Sequence, residues 1–132
     1  MSEKELWALV KRNVPGHLLR IENLIGAGIP DCHLTHKGKT VWLELKIGKG
    51  NNVQFQNTQI AFFNEARKHG ANCKVLMRKN DLLYLINSDV IINSVYKSIK
   101  GDRVSININE LSKAWIWGMP WKWNEIIQRI YE

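Results

Sequence analysis

The feature that most constrains this chain is a Lys-Gly pair. Lys37 and Gly38 separate two runs, "DCHLTH" and "KTVWLELKI". A two-residue loop of this kind signals a tight β-hairpin, because the favoured turns need positive φ. The loop also sets the register: His36 falls opposite Lys39, and Asp31 opposite Glu44. Alternation then places Cys32, Leu34, Val41, Leu43 and Leu45 on one face, the natural core face. Asp31, His33, Thr35, Trp42, Glu44 and Lys46 share the other.

This register sets two carboxylates against each other, with Cβ atoms roughly 4.5–5.5 Å apart, and like charges so placed destabilise a bare hairpin. A divalent cation between them reverses the penalty. Hard cations such as Mg²⁺ take carboxylate oxygens, with water filling the remaining positions. Lys46 stands on the same face, about 7–8 Å from both acids. Its ammonium can hold a phosphate oxygen, orient a water, or stabilise charge developing in a transition state. A metal adds Lewis-acid polarisation and a more acidic bound water. Together these are the parts needed to hydrolyse a phosphodiester. The competing reading is a solvated face with a Glu–Lys ion pair.

Charge points the same way. Nineteen Lys and Arg against twelve Asp and Glu give +7 and a pI near 9.6, a balance that favours polyanions, nucleic acid first. The 132 residues, 45% hydrophobic and 23% charged, are the size and composition of one globular domain. It divides into a core over about 1–98 and a Trp-rich C-terminal extension over about 99–132. No apolar run is long enough to span a membrane, and "MSEKELWALVKRN" lacks a secretory apolar region. Cys32 and Cys73 form no CxxC pair or disulfide framework; they read as small buried apolar residues of a reducing compartment.

Local signals predict the order α-β-β-β-α-β-β-α. Ser2 and Glu5 form a capping box opening a helix with Leu6, Leu9 and Val10 inward, ended by Pro15-Gly16. "HLLRIEN" is a strand and "LIGAGIP" a glycine-rich connection. Residues 55–69 carry Phe55, Gln59, Phe62, Phe63 and Ala66 at helical spacing, with Gly70 at the stop. "NCKVLMR" and "LLYLIN" are strands. Ser88 is expected to cap a helix over "VIINSVYK". "RVSINI" reads as a strand, "NELSKAWIW" as a short helix and "WNEIIQRIYE" as a closing helix. Residues 41–77 form a right-handed parallel crossover. The expected class is α/β, a mixed central sheet flanked by helices.

"GIPD" followed by "ELK" resembles the PD-(D/E)XK nuclease superfamily. The finer resemblance is to its VRR-NUC branch: Gly28-Ile29-Pro30-Asp31, the strand "VWLELK", then Gln59 opening a helix that ends at Gly70. It covers about residues 28–78 and the first helix. The resemblance implies a restriction-endonuclease-like core and a Mg²⁺-dependent endodeoxyribonuclease in which Mn²⁺ can substitute. It assigns Asp31, Glu44 and the backbone carbonyl of Leu45 as metal ligands, Lys46 as the catalytic lysine and Gln59 as a supporting residue. It also implies a Glu near the start of the first helix. Glu3 fits best, with Leu6, Trp7 and Val10 following at helical spacing. Glu22 in "RIEN" is the rival acid, and capping already explains Glu5. Similar stand-alone chains are phage-type nucleases, and archaeal Holliday junction resolvases belong to the same superfamily. Branched DNA, a homodimer, and the cytoplasm of a bacterium or phage-infected cell are therefore implied.

Lys37, Lys39, Lys49 and Arg20 are candidate contacts to the DNA backbone; a solvated loop is the alternative for the lysines. His33 and His36 are three apart in a strand and point to opposite faces, which argues against zinc. Trp115, Trp117, Trp121 and Trp123 fit base stacking, a dimer interface or a satellite core under the last helix. Two rival functions stand: a catalytically silent or accessory nucleic-acid-binding module, and a nicking or restriction-type nuclease.

Overall fold

The computed structural model describes residues 1–21, 28–94, 96–111 and 113–132, with the backbone alone over 96–99. Helix α1, Glu3–Asn13, starts where expected: Ser2 Oγ accepts from the Glu5 amide at 3.2 Å. Leu6 and Val10 are buried on its inner face. Strands β1 (His17–Arg20), β2 (Cys32–His36) and β3 (Lys39–Ile47) follow. Lys37 at φ 50° and Gly38 at φ 79° make the tight turn, and the ladder runs from His36↔Lys39 to Cys32↔Leu43, the register read from the turn.

After β3 the chain departs from expectation. Phe55 and Gln56 do not open a helix. They end strand β4, Asn52–Gln56, and helix α2 is Asn57–Lys68. Val53 and Phe55 are buried while Gln54 and Gln56 are exposed. That is a period of two, which two phenylalanines at helical spacing had masked. Strands β5 (Cys73–Lys79) and β6 (Leu82–Asn87) are as predicted. Helix α3 is short, Ser88–Ile92, and Asn87 rather than Ser88 is its N-cap. The end of "VIINSVYK", Tyr96 and Lys97, belongs instead to strand β7, Tyr96–Lys100, which pairs with β8, Arg103–Asn107. "NELSKAWIW" is not a helix: a 3₁₀ turn at Ile108–Glu110 leads to strand β9, Trp115–Trp117, against β6. Helix α4, Trp123–Tyr131, closes the chain.

Among the described residues, the main sheet has the order β1-β2-β3-β5-β6-β9, and a small sheet the order β4-β8-β7. β3 and β5 are parallel; the other pairs are antiparallel. On one face of the main sheet, Leu6 and Val10 of α1 and Ile126 and Ile130 of α4 pack on Cys32, Leu34, Val41, Leu43 and Leu45. On the other, Phe63 of α2, Ile91 of α3 and Val53, Phe55, Val104 and Ile106 of the small sheet pack on Val75, Met77, Tyr84 and Ile86. This is a mixed central sheet flanked by helices, the expected class. The four C-terminal tryptophans are half-buried against the α1/α4 core. Trp117 Nε1 donates to Glu125 at 3.1 Å and Trp121 Nε1 to the Asp81 carbonyl at 2.9 Å. No helix among the described residues is long and apolar enough to cross a membrane.

Candidate active site

The site forms where the hairpin's open end meets the starts of α1 and α2. Asp31 stands one residue beyond the last β2–β3 pair, so its carboxylate is not spent in a regular cross-strand contact. Asp31 Oδ2 accepts from the Leu45 amide at 2.8 Å, and its carbonyl accepts from Ile21 at 2.8 Å. Upstream, Gly28 has φ 89° and lies against the Thr58 carbonyl at the first turn of α2. A side chain there would collide with that backbone, so glycine lets the loop dock and delivers Pro30-Asp31 to the end of β3.

Glu44 is buried, 3% exposed. Its carboxyl is pushed up to about 10, first by burial, then by a hydrogen bond to Asp31 and that acid's charge. One of its oxygens, Oε2, is buried without a hydrogen-bond partner, an arrangement that normally calls for a ligand or solvent. The backbone adds a third oxygen. Trp42 and Gly48 direct their amides toward the β5 side, while Leu45 directs its own to Asp31. Residue N–H and C=O groups share a side of a strand, so the Leu45 carbonyl faces the side of the acids.

Lys46 Nζ donates to Gln59 Oε1 at 3.1 Å and lies 4.8 Å from the Phe55 ring centroid. The same Gln59 oxygen accepts from the Gln56 amide at 2.9 Å, within a capping box that starts α2. One glutamine thus ties the lysine to the start of the helix. Glu3 comes to the same place from α1 and lines a cavity of about 680 Å³ with Lys46, Lys49, Asn52 and Gln54. Burial, then the charge of Asp31, raise its carboxyl, and Lys46 and Arg20 draw it back.

The remaining expected residues divide. Arg20 turns inward: Nη2 lies 4.0 Å from Asp31 Oδ1, the guanidinium is 5.7 Å from the Trp7 ring centroid, and Nη1 is buried without a partner. Lys49 is exposed on the cavity rim. Lys37 and Lys39 are exposed at the far end of the hairpin; Lys39 precedes Glu44 by five positions of β3, roughly 17 Å of strand. Glu22, the rival acid, lies outside the described residues. His33 packs edge-on to Trp42 at 4.5 Å and His36 lies 5.5 Å from Tyr131, on opposite faces. Burial pushes the Cys32 thiol up to about 12 and Cys73 to about 11, so both are unreactive. A separate cavity of about 460 Å³ beside α3, lined by Asp89, Asn93 and Glu110 among others, shares no residue with this site.

Arg103 escaped the sequence reading. It opens β8 opposite Gln56 and lines a cleft of about 190 Å³ with Lys46, Gln54 and Gln59. Its sequence neighbourhood, a Gly-Asp-Arg turn, carries no hint of this.

Among the described residues, no three His, Cys, Asp or Glu side chains cluster as a metal site by themselves. A cation here would rest on two carboxylates, a carbonyl and water. That donor set is all oxygen and fits a hard divalent ion, and the orphaned buried oxygen of Glu44 fits it as well.

No protein-family model and no curated protein matches the chain. Solved structures do. The chain matches the 1.6 Å structure of Archaeoglobus fulgidus Hjc, a Holliday junction resolvase from an archaeal hyperthermophile. The TM-score is 0.58 over 85% of this chain and 90% of that one, at 13% identity. The shared property is the fold, a mixed sheet flanked by helices.

Proposed function

We propose that this protein is a Mg²⁺-dependent DNA endonuclease acting on branched DNA, of VRR-NUC-like type, working as a homodimer. The observation that carries the reading is the buried Glu44 paired with half-buried Asp31, with Lys46 beside them, set on the fold of a resolvase. Asp31, Glu44 and the Leu45 carbonyl are the residues to hold the ion, and Mn²⁺ fits the same oxygens. Bound there, the ion would supply Lewis-acid polarisation and an acidic water.

The protein's own groups do the rest. The Leu45 amide and Arg20 hold Asp31 at fixed orientation. Gln59 anchors the Lys46 ammonium, so that it meets a phosphate oxygen and stabilises the charge that develops as water attacks. Glu3, with its raised carboxyl, stands at the rim as proton acceptor or outer ligand. Lys49 supplies a further positive charge to the phosphodiester backbone. Cutting a four-way junction on two strands calls for two sites related by symmetry, the reason for a dimer.

The test is cleavage of labelled four-way junction, flap, nicked and linear DNA with Mg²⁺. We expect junction cleavage, abolished by EDTA and reduced at least ~10²-fold by Asp31→Asn, Glu44→Gln or Lys46→Ala, the scale for losing one transition-state contact. Full activity in any of these variants refutes the mechanism. Binding without product indicates a silent binding module, and cleavage of linear DNA a restriction-type enzyme.

A further inference from the structure

The β4–β8 pair of the small sheet turns a polar face outward. The apolar residues of these two strands, Val53, Phe55, Val104 and Ile106, are buried against the main sheet. The opposite face follows from the register: Asn52↔Asn107, Gln54↔Ser105 and Gln56↔Arg103. This face is continuous with the candidate active site. The 680 Å³ cavity holding Glu3 and Lys46 shares Asn52 and Gln54 with a cavity of about 600 Å³ walled by Lys100, Asp102, Arg103 and Ser105. The 190 Å³ cleft joins Arg103 to Lys46 and Gln59. A single trough therefore runs from Lys46 across β4 and β8 to Lys100.

Arg103 is held firmly at the junction. The Asn57 amide, at the first residue of α2, donates to the Asp102 carbonyl at 2.7 Å. The β4–β8 ladder fixes Arg103 beside Gln56, the residue whose amide meets Gln59. Yet among the described residues the exposed Arg103 has no carboxylate in ion-pair range. Three cations besides Lys46 line the trough (Lys49, Lys100 and Arg103) against the carboxylates of Glu3 and Asp102. Amide and hydroxyl side chains lie between them. Spaced cations with interleaved neutral donors suit a sugar-phosphate backbone, which is read by such groups without regard to sequence.

We infer that the outer face of β4–β8 is the track for one DNA strand, and that Arg103 grips a phosphodiester adjacent to the one placed at Lys46. The inference rests on the nuclease reading for its substrate but is tested apart from it, by binding. Anisotropy of a labelled four-way junction is measured with the full-length chain in EDTA across a salt series. Arg103→Ala weakens binding about 10-fold and lowers the salt slope by about 1, the loss of one phosphate contact. Arg103→Lys keeps the slope, and Lys100→Ala has a smaller effect of the same kind. Lys68→Ala, about 17 Å along α2 from its first residue, leaves binding unchanged. Circular dichroism melts check that each variant folds. Binding of Arg103→Ala equal to wild type overturns the inference, as do an equal loss in Lys68→Ala and a wild type with no affinity for DNA. If Arg103→Ala loses binding while wild type yields no product with Mg²⁺, the track stands and the nuclease reading fails alone.

Discussion

The central sheet buries an ionisable group on each face, and the two are treated in opposite ways. Lys74, 2% exposed on β5, points to the α4 side. Its ammonium donates to Asn72 Oδ1 at 2.9 Å and to the Ile130 carbonyl at 3.0 Å, satisfying an acceptor that the end of α4 leaves open. Glu44, 3% exposed on the neighbouring strand, points to the other side, touches a second acid and keeps an oxygen with no partner. A buried charge whose bonds are made is part of the scaffold. A buried acid left incomplete beside a second acid is a place for something else to bind.

The sharpest way to break this comparison is to titrate it. Glu44's raised carboxyl means that the metal-free folded state holds a proton the unfolded chain releases. Its contribution to stability is whole below the ordinary carboxylate range and falls as pH climbs toward about 10. Lys74, lowered by burial to about 8, has the opposite sign: the cost of burying its charge is full below about 8 and is relieved as pH rises to the ordinary lysine range. Melting curves in EDTA should therefore show stability dropping from pH 5 to 8, a slope removed by Glu44→Gln. Mg²⁺ at pH 8 should raise the wild-type melting temperature but not that of Glu44→Gln or Asp31→Asn. A wild type unmoved by Mg²⁺ removes the reason for treating the two charges differently.

A smaller effect is expected at the other charge. Lys74→Met keeps the volume but strands the Ile130 carbonyl, and urea unfolding should show a loss of ~1–3 kcal/mol. Junction cleavage per folded molecule should stay at the wild-type level; a fall in that rate would mean that Lys74 serves the site and not the scaffold. The smallest effect belongs to the hairpin turn. Lys37→Ala and Lys39→Ala should leave cleavage within about 2-fold, because screening weakens exposed charges beyond roughly 10 Å. A large loss would show the DNA reaching along the whole hairpin.

The legible part of the molecule was the part specified by neighbours in sequence. Lys37-Gly38 and the alternation around it placed Asp31 beside Glu44 and sorted the core face from the site face without reference to any other element. Ser2 and Glu5 located α1, and the apolar runs located β5 and β6. What went unread was specified at a distance. Phe55 belongs to a strand because Val104 pairs with it, and "WIW" is a strand because Leu83 to Leu85 offer it an edge. Helical spacing in the phenylalanines and the helix expected over "NELSKAWIW" were outweighed by those ladders, since strand propensity depends on the partner surface.

By itself, then, the sequence determined the hairpin register, the paired acids, the lysine on their face and the basic charge, because each follows from local turn chemistry and a period of two. Only the tertiary structure decided that Glu44 is sealed from water with an open oxygen, that Gln59 holds Lys46, and that Arg20 turns to Asp31 while Lys37 and Lys39 stay remote. It also brought Arg103 to the trough, from a strand whose pairing partner β4 ends nearly fifty residues earlier in the chain. Burial and long-range pairing are properties of the packed chain, and no window of neighbouring residues contains them.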